Sequence, residues 1–304
     1  MRVKIECPIN FLQIQDLNVM LESLGYTTDS KDPFWTECII VNPGTDIFLG
    51  EDYFSKYQNL KVVGTPSTGV NHLDMDYLNS RNIDVKCLLD NRDVLENIHA
   101  SAEFTWLHIM NAFRRFIPAV NNVHKWRDDE NERFLRSNEL AGKTIGIVGL
   151  GRIGRKIARY AEAFGMNVEY YDPYVTNSQY KTVFSLTGLQ KADILSISCY
   201  LTDETKGLIS NGVLDNFKED LIVVNTSRGE TVDEDYIYDL VTKDKIFYSC
   251  DVLCNEQNIE TLKQSKLFNL KRDNIVITPH VAGATVESQT KALRGILELC
   301  IKSR

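Results

Sequence analysis

Three glycines at fixed spacing form the strongest chemical motif in the chain. They lie in TIGIVGLGRIGRKIARYAEAFG, residues 144–165, where an apolar run is followed by Gly149-x-Gly151-x-x-Gly154 and then by a helical pattern. In such a strand–turn–helix the first glycine permits a tight turn, the second lets a pyrophosphate approach the backbone, and the third lets helix and strand pack closely. The N–H groups at the helix start, with the positive end of its dipole, attract phosphate. The spacing therefore predicts a dinucleotide-binding turn.

An acidic residue lies where such a dinucleotide would place a ribose. The next predicted strand, NVEYYD, ends at Asp172, 21 residues after Gly151. A carboxylate at this position accepts hydrogen bonds from the ribose hydroxyls and repels the additional phosphate of NADP. Asp-Pro is also a common turn pair, but the glycine motif at the expected distance favours a cofactor contact. We therefore expect the cofactor to be NAD.

Three further polar residues follow predicted strands later in the chain. Arg228 follows LIVVNTS, Glu256 lies shortly after FYSCDV, and His280 follows NIVITP. Ligands of open α/β sheets bind outside the carboxyl ends of the strands. These side chains are therefore expected to meet a substrate beside the nicotinamide.

The three side-chain types suit hydride reduction of a small 2-oxo acid. A guanidinium holds a carboxylate and stabilises a developing alkoxide, because it presents a planar, permanently charged fork of donors. An imidazole supplies a proton near neutral pH, and a neighbouring carboxylate favours its protonated form and fixes its orientation. Taken singly, an arginine after a strand is more often a surface ion-pair partner, and a histidine in a TPH turn more often packs or caps. Their order behind a nucleotide-binding turn favours Arg228, Glu256 and His280 as catalytic residues.

The elements that would position these residues alternate along the whole chain. A β-α-β-α alternation indicates parallel sheets covered by helices, so we predict an α/β fold with two modules. The predicted strands are Val3–Cys7, Cys38–Val41, Lys61–Gly64 and Asp84–Leu88 in the first module, and Thr144–Gly149, Asn167–Asp172, Ile194–Ser198, Leu221–Thr226, Phe247–Val252 and Asn274–Thr278 in the second. The predicted helices include Ile14–Leu24, Glu51–Tyr57, Leu73–Ser80, Asn97–Phe116 and Val286–Ile301, and the polar interval Asn121–Arg136 is predicted to be an exposed connection.

Composition excludes several classes of partner. The formal net charge of -8 over 304 residues disfavours nucleic acid and anionic membranes as partners, and no apolar run approaches the length of a membrane span. Seven cysteines, an odd number at irregular spacing, predict free thiols in a reducing compartment. Cys250 and Cys254 have no second pair with ligand spacing, so no metal site is expected. With no secretory leader visible, we expect a cytoplasmic protein.

Seven segments together resemble the D-isomer-specific 2-hydroxyacid dehydrogenase family, which includes phosphoglycerate, D-lactate and glyoxylate/hydroxypyruvate dehydrogenases. They occur in the family's order and span about three quarters of the chain. The resemblance implies two Rossmann-like or flavodoxin-like parallel-sheet domains with the active site in the cleft between them. It also implies a homodimer. The matching segments are STGVNHLD (67–74), GKTIGIVGLGRIG (142–154), FGMNVEYYDP (164–173), LTDETKGLI (201–209), NTSRGE (225–230), DVLCNE (251–256) and TPHVAGAT (278–285).

The resemblance also assigns roles to individual positions. It implies that Arg228, Glu256 and His280 are the catalytic set, and that Asp251 contacts the nicotinamide carboxamide. The substrate domain is expected to be discontinuous, residues 1–96 plus 285–304, with an NAD-binding domain at 97–284. The expected cofactor-binding residues are Gly149, Gly151, Arg152, Ile153, Gly154, Asp172, Thr226 and Asp251, and the expected donors to the substrate carboxylate are Ser67, Thr68 and Gly69.

Two other functions remain open from the sequence. One is an NAD(H)-sensing binding protein of the corepressor type on the same fold; the other is a related enzyme such as a formate dehydrogenase. The Arg-Glu-His set argues against both. The chain also departs from the family pattern at Tyr200 and Gln257 and lacks an arginine in the loop VNPGTD. Without that cation, a 2-oxo acid that is non-phosphorylated or differently held is slightly favoured.

Overall fold

The chain forms two compact units, residues 1–98 with 284–304 and residues 99–283. The computed structural model describes residues 2–6, 18–19, 21–23, 25–28, 33–41, 48–176, 178–256 and 258–302. Several predicted features lie outside these ranges: most of the helix at 14–24, the end of the strand at Cys7, the loop after Val41, and Gln257. Over the described ranges, none of the helices has the length and apolar character required to cross a bilayer.

The first unit is built on a four-stranded parallel sheet. Its strands are β1 (Val3–Glu6), β2 (Cys38–Val41), β3 (Val62–Gly64) and β4 (Asp84–Lys86), and they lie side by side in that order. All residues of β2 and β3 are buried, as expected for a parallel sheet covered on both faces.

Short helices and one long one cover this sheet. The last helix packs close to β3, since a methyl group added at Gly64 would lie 2.6 Å from Ile296 Cγ2. Its buried face includes Leu293, Ile296 and Leu297. The C-terminal segment thus belongs to the first unit's core. The helices whose bounds the structure describes are α1 (Glu51–Phe54), α2 (Met75–Ser80), α3 (Arg92–Glu96) and α10 (Val286–Lys302), with 3-10 turns at Pro33–Trp35 and Leu88–Asp90.

The second unit contains a seven-stranded parallel sheet. Its strands are β5 (Thr144–Val148), β6 (Asn167–Tyr171), β7 (Lys181–Thr182), β8 (Ile194–Ile197), β9 (Leu221–Asn225), β10 (Ile246–Cys250) and β11 (Ile275–Ile277). They lie in the order β11-β10-β9-β8-β5-β6-β7. The order reverses between β5 and β8, which is the switch point where doubly wound folds bind their ligands. The predicted α/β class with parallel sheets is confirmed.

The helices of this unit differ from the predicted ones at one place. Arg115 has a left-handed backbone (φ +50°), so the helix predicted over Asn97–Phe116 ends at Phe113 and a separate helix begins at Phe116. The helices are α4 (Ala100–Phe113), α5 (Phe116–Asn121), α6 (Asp129–Leu135), α7 (Arg152–Ala163), α8 (Glu234–Thr242) and α9 (Ile259–Leu262), with 3-10 turns at Leu186–Leu189 and Gly229–Thr231.

The predicted exposed connection at 121–136 contains α6. Asp128 caps this helix by accepting a hydrogen bond from Asn131 N at 2.8 Å. Acidic residues in the first turn further stabilise the helix, because their negative charges interact favourably with the positive end of the helix dipole. The segment is largely exposed as predicted, and the structure adds a short helix to it.

Candidate active site

The glycine turn after β5 has the geometry of a phosphate cradle. Gly149 has φ +91°, and a Cβ there would lie 2.8 Å from the backbone of Cys199. A Cβ on Gly154 would collide with the Gly149 carbonyl, so the third glycine permits helix α7 to begin against the turn. By contrast, a Cβ on Gly151 would meet nothing within 4 Å. That open space is where a pyrophosphate can approach the backbone.

Asp172, directly after β6, braces this turn. Its Oδ2 accepts a hydrogen bond from Leu150 N at 2.8 Å, and its Oδ1 accepts one from Tyr174 N at 2.9 Å. A carboxylate has about four lone-pair sites, so each oxygen keeps acceptor capacity for a ribose hydroxyl. The half-buried Asp172 thus links the glycine turn to the end of β6. The glycine turn and the Asp172 carboxylate together fit an adenine dinucleotide.

Arg228 lies on a turn held closely against its neighbours. Asn225, the last residue of β9, donates from Nδ2 to the Arg228 carbonyl at 3.0 Å. A Cβ on Gly229 would collide with the backbone of Leu253 and Cys254, so only glycine lets this turn approach the loop after β10. The half-buried guanidinium donates from Nη1 to the Ser227 carbonyl at 2.7 Å. Among the described residues this is the guanidinium's one hydrogen bond, so four of its five N–H donors can face a carboxylate.

Thr226, between β9 and Arg228, has its hydroxyl 2.6 Å from that of Thr105 on α4. Thr105 in turn donates to the Ser101 carbonyl. Thr226 is half-buried at the carboxyl edge of the sheet. Its contact with α4 anchors the strand end that leads to Arg228.

Carboxylates hold the loop that carries Glu256. Leu253 N donates to Glu256 Oε2 at 3.1 Å, and Cys254 N donates to Glu234 Oε1 at 2.6 Å. Asn255 N donates to Glu230 Oε1 at 3.4 Å. Burial raises the pKa of Glu234, and the hydrogen bonds that it accepts from Cys254 and Ser265 partly oppose this shift. The Glu256 side chain is therefore held in place by a backbone N–H of its own loop, that of Leu253.

His280 and Glu256 are in direct contact. His280 Nδ1 lies 2.5 Å from Glu256 Oε1, and the imidazole is 48% exposed. Because Nδ1 faces the carboxylate, Nε2 is the nitrogen that can reach a substrate. His280 has φ +51°, which is uncommon for a residue with a side chain and is frequent at functional sites. Of the predicted catalytic residues, the structure brings these two into contact, while no hydrogen bond among the described residues joins either to the Arg228 guanidinium.

Asp251 organises the turn that presents His280. The Asp251 carboxylate is 1% exposed and accepts hydrogen bonds from Val281 N at 3.0 Å and Ala282 N at 2.7 Å. It also accepts one from the Thr278 hydroxyl at 2.5 Å, and its backbone carbonyl accepts from His280 N at 2.9 Å. The sequence did not reveal this role, since it depends on contacts across about thirty residues.

The predicted substrate loop of the first unit follows β3. Ser67 Oγ donates to the Gly69 carbonyl at 2.5 Å and lies 3.1 Å from Thr65 Oγ1. Thr65 Oγ1 is also 3.1 Å from His72 Nε2. The buried His72 therefore supports the loop from within, in agreement with a structural role. Thr68 is half-buried in the same loop.

Acidification is expected to destabilise the protein through His72. Burial lowers the pKa of His72 from 6.5 to about 4, so below pH 6.5 the unfolded chain takes up a proton that the folded chain refuses. The contribution of the neutral His72 to the free energy of unfolding is fully present above pH 6.5. It is lost as the pH falls toward 4, at about 1.4 kcal/mol per pH unit.

Urea unfolding at pH 7 and pH 5 tests this expectation. Between these values the wild type should lose about 2 kcal/mol more unfolding free energy than His72→Asn. The change between pH 7 and pH 5 is taken within each protein, so the effect of the substitution on stability at a single pH cancels. An identical pH dependence in both would show that His72 does not titrate as described.

The chain is similar in sequence and in fold to known dehydrogenases. The family description "D-isomer specific 2-hydroxyacid dehydrogenase, NAD binding domain" matches residues 106–282. The chain is 31% identical over 296 residues to D-3-phosphoglycerate dehydrogenase of Bacillus subtilis (strain 168), covering 95% of this chain and 52% of that protein. It thus spans about half the length of the curated relatives of that name that it matches.

Two further relatives match over most of both chains. Hydroxypyruvate reductase of Thermotoga maritima is 30% identical over 275 residues, covering 88% of this chain and 84% of that one. The crystal structure of D-lactate dehydrogenase from Aquifex aeolicus, complexed with NAD and lactic acid, superposes with a TM-score of 0.73 at 27% identity, covering 99% of this chain and 93% of that one. Sequence and fold comparisons therefore agree.

Proposed function

Because this chain belongs to the D-isomer specific 2-hydroxyacid dehydrogenase family, we propose that it is an NAD-dependent 2-hydroxyacid dehydrogenase. The reaction is reversible hydride transfer between NADH and C2 of a small 2-oxo acid. The observation that carries the proposal is the contact between His280 Nδ1 and Glu256 Oε1 at 2.5 Å, in a unit that contains a dinucleotide turn. The relatives' names, all dehydrogenases or a reductase, do not favour the alternative of an NAD(H)-sensing corepressor.

The glycine turn supports the proposed binding of the cofactor. The open space at Gly151 and the start of α7 would hold the pyrophosphate, and Asp172 would accept from the adenosine ribose. NAD, when bound, supplies or accepts the hydride at C2 of the substrate. The proposed cofactor contacts are Gly149, Gly151, Arg152, Ile153, Gly154, Asp172, Thr226 and Asp251.

The chain's own residues would bind the substrate acid and transfer the proton. Arg228 binds the substrate carboxylate and stabilises negative charge on the C2 oxygen. His280 donates a proton from Nε2 to that oxygen during reduction and accepts it during oxidation. Glu256, bonded to Nδ1, keeps the ring oriented and stabilises its charged form. Ser67, Thr68 and Gly69 are proposed to bind the carboxylate through backbone N–H groups.

A substrate panel tests the function. Glyoxylate, pyruvate, hydroxypyruvate, phosphohydroxypyruvate and phosphonate-bearing analogues would each be mixed with enzyme and NADH or NADPH, following loss of absorbance. We expect turnover with at least one acid and a strong preference for NADH, because Asp172 repels a 2′-phosphate. Absence of turnover with every acid, combined with an NADH-dependent change of oligomeric state, would instead support the sensing function.

We also propose a homodimer in the cytoplasm. The cytoplasmic location is supported by the six described cysteines, all unpaired thiols. The dimer is supported by exposed apolar side chains on and near α5: Phe116 is 60% exposed, Val123 61% and Trp126 78%. Such a cluster of exposed large apolar side chains within residues 116–126 favours an interaction surface there.

Replacing Trp126 with glutamate is expected to shift the protein toward monomer. A charge at the centre of an apolar contact must be desolvated without a partner, which opposes association. Sedimentation velocity at micromolar concentration would measure the shift. The matched control is Phe184→Glu, since Phe184 is 93% exposed and lies outside this cluster. A dimer unaffected by Trp126→Glu would place the contact elsewhere.

A further inference from the structure

A buried imidazole lies beneath the turn that presents His280. His108, in the middle of α4, is 2% exposed. Its Nδ1 is 2.7 Å from Ser249 Oγ on β10, and its Nε2 is 3.0 Å from Thr278 Oγ1. A buried histidine on the inner face of a helix is costly unless its ring nitrogens find partners, and here both do.

The hydrogen-bond directions in this cluster follow from counting protons. The Asp251 carboxylate can only accept, and it lies 2.5 Å from the Thr278 hydroxyl, whereas the Cys250 carbonyl lies at 3.4 Å, so Thr278 donates its single hydroxyl proton to Asp251. Thr278 Oγ1 then accepts from His108 Nε2–H, and the unprotonated Nδ1 accepts from the Ser249 hydroxyl. Burial lowers the pKa of His108, with Asp251 opposing, which agrees with a neutral ring. One arrangement thus satisfies every group.

This chain of hydrogen bonds ends at the backbone of the catalytic turn. The Asp251 carboxylate that receives the Thr278 proton also binds Val281 N and Ala282 N. The Asp251 carbonyl binds His280 N. The orientation of the Asp251 side chain therefore determines the position of residues 278–282.

We propose that His108 is a positioning residue, whose imidazole, held by Ser249, keeps the Thr278 hydroxyl on Asp251 and so fixes the turn that presents His280. The inference rests on the proposed function for the role of His280. The hydrogen-bond arrangement itself does not depend on that function.

Three variants separate positioning from simple packing. His108→Leu fills similar space but cannot donate to Thr278, so kcat should fall about tenfold, since a small misplacement of a catalytic group is costly. The KM for NADH should change by less than about threefold, because the glycine turn is untouched. His108→Gln, with one amide donor and one acceptor, should recover most of the kcat. Leu107→Ala, at the exposed neighbouring position, is the control and should leave kcat unchanged.

A measurement independent of activity completes the test. Amide hydrogen exchange at Val281 and Ala282 should quicken at least tenfold in His108→Leu and return toward wild type in His108→Gln. The ¹⁵N spectrum of His108 should show the Nε2–H tautomer. Unchanged exchange and unchanged kcat in His108→Leu would overturn the proposal, as would equal losses in the leucine and glutamine variants. If no 2-oxo acid is turned over, the proposed function fails while the exchange data still decide the role of His108.

Discussion

His280→Ala is expected to lower kcat by about 10²- to 10⁴-fold, the usual contribution of a general acid–base group. The Nε2 of His280 is the nitrogen left free by its contact with Glu256, and alanine leaves no group to donate the proton. The Kd for NADH should stay within about twofold, because the glycine turn and Asp172 are unchanged. Steady-state rates and fluorescence titration with NADH measure the two quantities.

Two companion measurements keep this prediction specific. Thermal unfolding of His280→Ala should match the wild type within a few degrees, since the side chain is about half exposed. Glu260→Gln, whose side chain is 74% exposed on α9, serves as a control for changes near Glu256 and should leave kcat unchanged. Turnover of His280→Ala close to wild type would remove His280 from its proposed role.

The buried strands could be read from the sequence because parallel strands covered on both faces are continuous apolar runs. Every residue of β9 and β10 is buried, and both were predicted within two residues. The two-residue strand β7 gave no such signal, since it is short and exposed. The helix break at Arg115 was missed because its left-handed conformation occurs without glycine or proline.

The site could be predicted from the sequence only where a chemically active residue follows a strand directly or within a few residues. Glu256 and His280 were predicted from that rule, and the structure brings them into contact. Glu234 and His108 follow no strand: one lies at the start of α8 and the other within α4. Their contacts with Cys254 and Thr278 span 20 and 170 residues. Nothing in local spacing predicts such pairings.

Substitution of Arg228 is expected to have the second large effect on catalysis. Comparing alanine with lysine at this position separates the contribution of the positive charge from that of the guanidinium geometry. Removing one partner of a desolvated charge pair costs about 2–5 kcal/mol, and about 1.4 kcal/mol corresponds to tenfold. Arg228→Ala is therefore expected to lower kcat/KM by about 30- to 4,000-fold. Arg228→Lys keeps the charge but loses the planar fork that binds two oxygens at once, so a loss of about 10-fold or more should remain.

The tight packing around Arg228 makes the lysine result informative. The turn is fixed by Asn225 and by the contact of Gly229 with the loop after β10, so the backbone has little freedom to bring a lysine ammonium to the position of the guanidinium. Arg272→Lys is the control, because Arg272 pairs with Asp244 at 2.6 Å outside the proposed site, and it should leave kcat/KM unchanged. Full activity of Arg228→Lys would mean that a point charge suffices and that the acid is not held by a two-pronged contact.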